Sequence, residues 1–119
     1  MEIILAGREA DNKILARNAH TANTFVSRFL GLMFRASFGR YDALVLSPCG
    51  SVHTFFMRFA IDVVCTDEAG RVVGMFRNMK PWKVFAPRLK AQTTIELPPH
   101  TIRRSRVEPG DVIVYRNTA

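Results

Sequence analysis

The chain has 119 residues, 48% of them hydrophobic and 23% charged, and 17 Lys and Arg against 10 Asp and Glu give a formal net charge of +7. That length suits a single domain over residues 1–119 with one core, and the apolar content excludes a disordered chain. No apolar run approaches the roughly 18 residues of a membrane helix, and the opening Met1 to Leu5 lacks the basic start and long apolar core of an export signal, so a cytoplasmic protein with no membrane span is expected.

In chain order, Ile3 to Ala6 and Ile14 to Ala16 are short apolar pieces separated by the turn-prone Gly7 to Asn12, the pattern of an opening hairpin. Phe25, Phe29, Leu32 and Met33 then recur at helical spacing, with Val26 and Leu30 widening the stripe and Asn23 or Thr24 as cap, which predicts a helix over 23–35. Strand signals follow. Ala43 to Leu46 is an apolar run ended by Pro48 and Gly50, and Val52 to Met57 is rich in strand formers on both faces, so it is expected as a central strand. Ile61 to Thr66 and Arg71 to Phe76 flank Asp67 to Gly70 and predict a hairpin, the glycine supplying a positive φ.

Residues 78–91 contain Pro81 and Pro87, which interrupt a ladder, and are expected as an extended loop. Gln92 to Leu97 predicts a further strand, and Glu108-Pro109-Gly110-Asp111 a tight turn leading into a closing strand from Val112 to Tyr115. About seven short strands with one helix predict a mainly β (α+β) fold: a curved antiparallel sheet, or a small partly closed β-barrel, with one covering helix.

Ionisable side chains are costly to bury without partners, so His53 and Asp62 stand out inside the apolar block from Cys49 to Asp67. Alternation along a strand puts His53 on the face of Phe55 and Met57. The expected site is a polar pocket lined by His53, Met57, Asp62 and Arg35, with Cys49 and Trp82 near its rim. The structural alternative is a neutral histidine bonded to backbone, with Asp62 accepting from backbone amides or from Arg35.

The positive charge is unevenly spread. Ala69 to Ile95 contains no acidic residue but holds Arg71, Arg77, Lys80, Lys83, Arg88 and Lys90. Within it, Trp82 and Phe85 alternate with Lys80, Lys83, Arg88 and Lys90, the combination of stacking rings and phosphate-tracking cations that holds single-stranded nucleic acid. The competing reading makes the rings a plug at one end of a barrel and the lysines a solvated face.

Cys49 and Cys65 match neither a zinc spacing nor a redox pair, and reduced thiols packed as small apolar groups are expected. A thiolate at Cys49 activated by His53 defines a third reading, a thiol enzyme, but no oxyanion donor or orienting group accompanies it. His20, His53 and His100 are too dispersed for metal-ligand spacing, and no phosphate loop or paired carboxylate occurs, so no metal or cofactor is expected. No reaction follows from these residues. The leading expectation is a small binding or scaffold protein whose partner is a small-molecule ligand or a polyanion, with apolar strand edges available for a homodimer.

The residues Gly31 to Arg35, His53 to Met57 with Ile61, Asp62 and Val63, the hairpin Asp67 to Val72, Glu96-Leu97-Pro98 and the closing Gly110-Asp111 together resemble domain of unknown function family 192. The family usually continues the Leu-Pro with a small residue and a glycine; Pro99 and His100 stand there in this chain. The resemblance implies a compact, mainly β domain with a helix and no established activity.

Overall fold

A computed structural model describes residues 1–7, 14–22, 37–49, 51–87 and 90–117. The strands are β1 (Glu2–Leu5), β2 (Ile14–Ala16), β3 (Ala19–Ala22), β4 (Ala43–Leu46), β5 (Val52–His53), β6 (Ile61–Thr66), β7 (Val72–Met79), β8 (Val84–Phe85), β9 (Thr93–Leu97) and β10 (Ile113–Arg116), with a short helix α1 (Thr101–Ser105). They form a five-stranded sheet in the order β3-β4-β9-β6-β7, a three-stranded sheet β10-β1-β2 and a ribbon β5-β8.

Both faces of the five-stranded sheet are covered. One cluster, with Ile3, Leu5, Leu15, Val45, Val64, Ile95 and Ile102, fills the space between the two larger sheets and α1. A second, with Leu44, Val52, Met57, Ile61, Val63, Cys65 and Met79, lies on the opposite face. This explains why β6 is apolar on both faces apart from Asp62 and Thr66: all six residues are buried, odd and even positions serving different cores. The three-stranded sheet is held by in-register pairing of β1 with β10, where Glu2 and Arg116 oppose each other and form an ion pair.

The mainly β fold with a helix is as expected, and the hairpin β6-β7 forms where its turn residues place it. Asp67 Oδ1 accepts from the N–H groups of Ala69 and Arg71, both at 2.9 Å. Gly70 has φ 81°, and a Cβ there would lie 2.8 Å from the Ile113 carbonyl oxygen, so both backbone angle and space require glycine. The turn Glu108–Asp111 closes through Asp111 N–H to the Glu108 carbonyl at 3.1 Å, with Gly110 at φ 92°.

Among the described residues the sheets stay separate and close no barrel, joined at one corner by a bridge between Arg71 and Val112. Three expectations change. The larger sheet is not purely antiparallel, because β3 pairs β4 in parallel, Ala19 to Ala22 opposite Ala43 to Leu46. Val52 to Met57 is not a central strand; pairing stops after His53 because Thr54 turns the chain. Finally, the loop 78–91 begins later, since β7 runs to Met79, and it contributes Val84–Phe85 to the ribbon. The helix expected over 23–35 lies outside the described residues; α1 had no signal beyond the turn-prone Pro98-Pro99 before it.

Candidate functional site

Thr54 is fully buried between two tight turns and organises both. The first spans Thr54 to Met57 and closes by Met57 N–H donating to the Thr54 carbonyl at 3.2 Å. The second spans Lys80 to Lys83, with Pro81 presetting its first corner. Here the Thr54 hydroxyl bridges the two groups that would close the turn, donating to the Lys80 carbonyl at 2.6 Å and accepting from Lys83 N–H at 2.9 Å. The Thr54 main chain adds two more bonds: its N–H donates to the Lys83 carbonyl at 2.8 Å, and its carbonyl accepts from Trp82 N–H at 3.0 Å.

Each turn places an aromatic residue at its third position in the left-handed region, Phe56 at φ 62° and Trp82 at φ 67°. Glycine normally fills that position, and an L-residue there costs about 1–2 kcal/mol. The two rings meet edge-on with centroids 4.8 Å apart, and the Phe55 ring lies tilted 5.8 Å from that of Trp82. Phe55, Phe56 and Trp82 are 37%, 47% and 59% exposed, so three adjoining rings form a ridge facing solvent. Val84, Lys80, Lys83 and Arg58 are exposed beside these rings in sequence. Strain held in place by buried hydrogen bonds, displaying apolar rings to water, is the pattern of a recognition surface.

His53 lies at the foot of the ridge, its ring 5.2 Å from that of Phe55 and its Nδ1 accepting the Phe55 N–H at 3.2 Å. Asp62 is buried on β6; Oδ1 accepts from Asn78 N–H at 2.8 Å and Oδ2 from Ile102 N–H at 2.9 Å. Both carboxylate oxygens thus serve backbone amides of β7 and α1, including that of Asn78, itself at φ 49°. Met57 is buried in the second core cluster. Cys49 is half-buried, its thiol donating to the Ser51 carbonyl at 2.8 Å, and Arg35 lies outside the described residues. Of the pocket residues, the structure brings His53 and Trp82 together through Phe55, while Asp62 and Met57 are engaged within the fold.

Of the basic-loop residues, Lys80, Trp82, Lys83 and Lys90 are exposed. Phe85 is instead half-buried against Phe76, ring centroids 5.5 Å apart, and reaches over Gly74, where a Cβ would stand 3.3 Å from it. Arg88 lies outside the described residues. The rings beside Trp82 are therefore Phe55 and Phe56, whose partnership with it is invisible in sequence because two separate turns create it.

Glu96 was not among the expected site residues. It sits on β9 opposite Leu44 and Val63, with Oε2 buried and without a hydrogen-bond partner among the described residues. Desolvation pushes its carboxyl up to about 8, so it is mostly protonated at neutral pH. An acidic residue inside the apolar Thr93 to Leu97 run was the available signal. Burial likewise pushes the Cys65 thiol up to about 11 against the opposing effect of its Thr94 contact, as suits an inert core cysteine. Among the described residues, no three His, Cys, Asp or Glu side chains are grouped to hold a metal ion, and no helix is long and apolar enough to cross a membrane.

Comparison with known proteins places this architecture among uncharacterised relatives. A UPF0127 protein of Thermococcus kodakarensis is 39% identical over 101 residues, covering 82% of this chain, which spans 64% of that relative's length. A UPF0127 protein of Pyrococcus furiosus is 39% identical over 95 residues, covering 76% of this chain and 79% of the relative. A crystal structure of a protein of unknown function from Novosphingobium aromaticivorans shares the fold, with a TM-score of 0.82 at 16% identity over 97% of this chain and 84% of that one. The model of the family described as Uncharacterized ACR, COG1430 (domain of unknown function family 192) matches residues 7–115, and the chain belongs to that family.

Proposed function

We propose that this chain is a single-domain binding protein that takes single-stranded nucleic acid on the ridge of Phe55, Phe56 and Trp82. The observation that carries this reading is that Phe56 and Trp82 are both held in left-handed turn positions, by one buried threonine, with their rings exposed together. Preset rings lose little conformational freedom on stacking against bases, and every base offers a stacking face. Lys80, Lys83 and Arg58 supply nearby phosphate partners, and the excess of seven positive charges favours approach of a polyanion. A cytoplasmic setting belongs to this reading and is supported by the two free cysteines.

Trp82 is the sole tryptophan, so its fluorescence reports the ridge directly. Titration with oligo-uridine and oligo-thymidine is expected to quench it, with affinity falling as salt rises and falling further in Lys83→Glu. Phe56→Ala is expected to lose about 1–3 kcal/mol if one base stacks there. Unchanged fluorescence together with no change in oligonucleotide anisotropy at low salt would overturn the proposal.

A further inference from the structure

The ribbon β5-β8 leads into both turns of the ridge. His53 opposes Val84 across it, and Val84 is exposed, whereas the neighbouring pair Val52 and Phe85 packs into the second core. Alternation therefore puts half-buried His53 on the outer side of the ribbon, just before Thr54 and Phe55. Its Nδ1 accepts the Phe55 N–H at 3.2 Å, and the two ring centroids lie 5.2 Å apart.

A ring nitrogen that accepts is unprotonated, so the hydrogen of neutral His53 sits on Nε2. The bond spans two residues, as an Asx turn does, and fixes the backbone from which the Phe55 ring reaches to 5.8 Å from that of Trp82. A second proton converts Nδ1 into a donor. It then meets the Phe55 N–H donor to donor, and the bond is lost. Histidine is the side chain that changes charge between about pH 5 and about pH 8. The segments that build the ribbon and both turns, 49–61 and 78–91, contain no acidic residue, and Arg58, Lys80 and Lys83 flank the rings in sequence, so the charges these elements bring are all positive.

We infer that neutral His53 is a positioning residue of the ridge: it holds Phe55 in place, and its protonation releases that ring and weakens nucleic-acid binding. The effect on affinity rests on the function proposed above; the effect on Phe55 does not. The sign sets this apart from general electrostatics. A cationic protein gains hold on a polyanion as pH falls, whereas loss of the Phe55 anchor weakens that hold.

Two NMR and binding titrations of the whole chain, from about pH 8 to about pH 5 at constant ionic strength, test this. In the ligand-free protein, the Phe55 amide resonance is expected to shift with the same midpoint as the His53 ring resonances. No such shift is expected in His53→Asn, whose side-chain oxygen accepts the same N–H without titrating. With oligo-thymidine, whose bases do not titrate in this range, wild-type affinity is expected to fall about two- to tenfold, the worth of one hydrogen bond, while that of His53→Asn holds or rises. Thermal melting at both ends of the range establishes that each protein is folded, and the wild-type titrations decide should His53→Asn fail to fold. The inference is overturned if the wild-type Phe55 amide does not follow His53, if wild-type affinity holds or rises on acidification, or if folded His53→Asn weakens as much as wild type. Absence of oligo-thymidine binding at every pH would instead overturn the proposed function and leave the Phe55 amide to decide the positioning role.

Discussion

Thr54 and Lys83 hold each other through two short hydrogen bonds: Thr54 N–H donates to the Lys83 carbonyl at 2.8 Å, and Lys83 N–H donates to Thr54 Oγ1 at 2.9 Å. With the further bond from the Thr54 hydroxyl to the Lys80 carbonyl, a single side chain couples two turns that are remote in sequence.

Thr54→Val keeps the shape and removes the hydroxyl, stranding the Lys80 carbonyl and the Lys83 N–H. A loss of about 1–3 kcal/mol is expected by urea denaturation. Trp82 should also gain mobility, seen as a fall in its fluorescence anisotropy. A variant with wild-type stability and anisotropy would show that the hydroxyl does not organise the ridge.

Phe56 provides an inverted substitution series. Because it sits at φ 62°, Phe56→Gly should be more stable than Phe56→Ala by about 1 kcal/mol, the reverse of the order found at ordinary positions. Denaturation midpoints of the two variants, which both lose the ring, isolate the backbone contribution. Alanine equal to or better than glycine would mean that the turn carries no strain.

Asp62 is a fold determinant through its two amide partners. Asp62→Ala leaves the N–H groups of Asn78 and Ile102 without their carboxylate, and a loss of roughly 2–5 kcal/mol follows from two stranded donors. Amide exchange should accelerate at those two positions before it does elsewhere in β7 and α1. Protection at Asn78 and Ile102 equal to wild type would contradict this role.

Glu96 sets a pH dependence whose sign is fixed by the direction of its shift. The folded carboxyl titrates near 8 against a reference of 4.5, so between those values the folded state retains a proton that the unfolded chain has released. Its contribution to stability is complete below 4.5, declines as pH rises through the window, and is exhausted above about 8. Glu96→Gln should remove this slope, so the difference in unfolding free energy between variant and wild type grows in the variant's favour from pH 5 to pH 8. A pH-independent difference would place the Glu96 carboxyl in contact with water.

The candidate site was partly legible. Asp62 stood out as an expensive charge in an apolar strand, and its service to backbone amides was one of the two readings its burial allowed. Trp82 stood out as an aromatic among lysines, but its companions were misassigned: sequence proximity suggested Phe85, which packs against Phe76 and shields Gly74. The strand expected from Val52 to Met57 failed because its residues have high strand propensity, while the bonds that end the strand at Thr54 come from Lys80, Trp82 and Lys83.

Local chemistry alone determined the features whose causes are local. The Asp67 to Gly70 hairpin follows from a side chain bonding its own turn and a glycine tolerating positive φ, and β6 follows from a run rich in apolar and β-branched residues. Tertiary structure decided the parallel pairing of β3 with β4 and the union of Phe55, Phe56 and Trp82 into one ridge. Each of these depends on contacts between residues far apart in the chain, whose formation is governed by how the two cores pack rather than by the preference of any one segment.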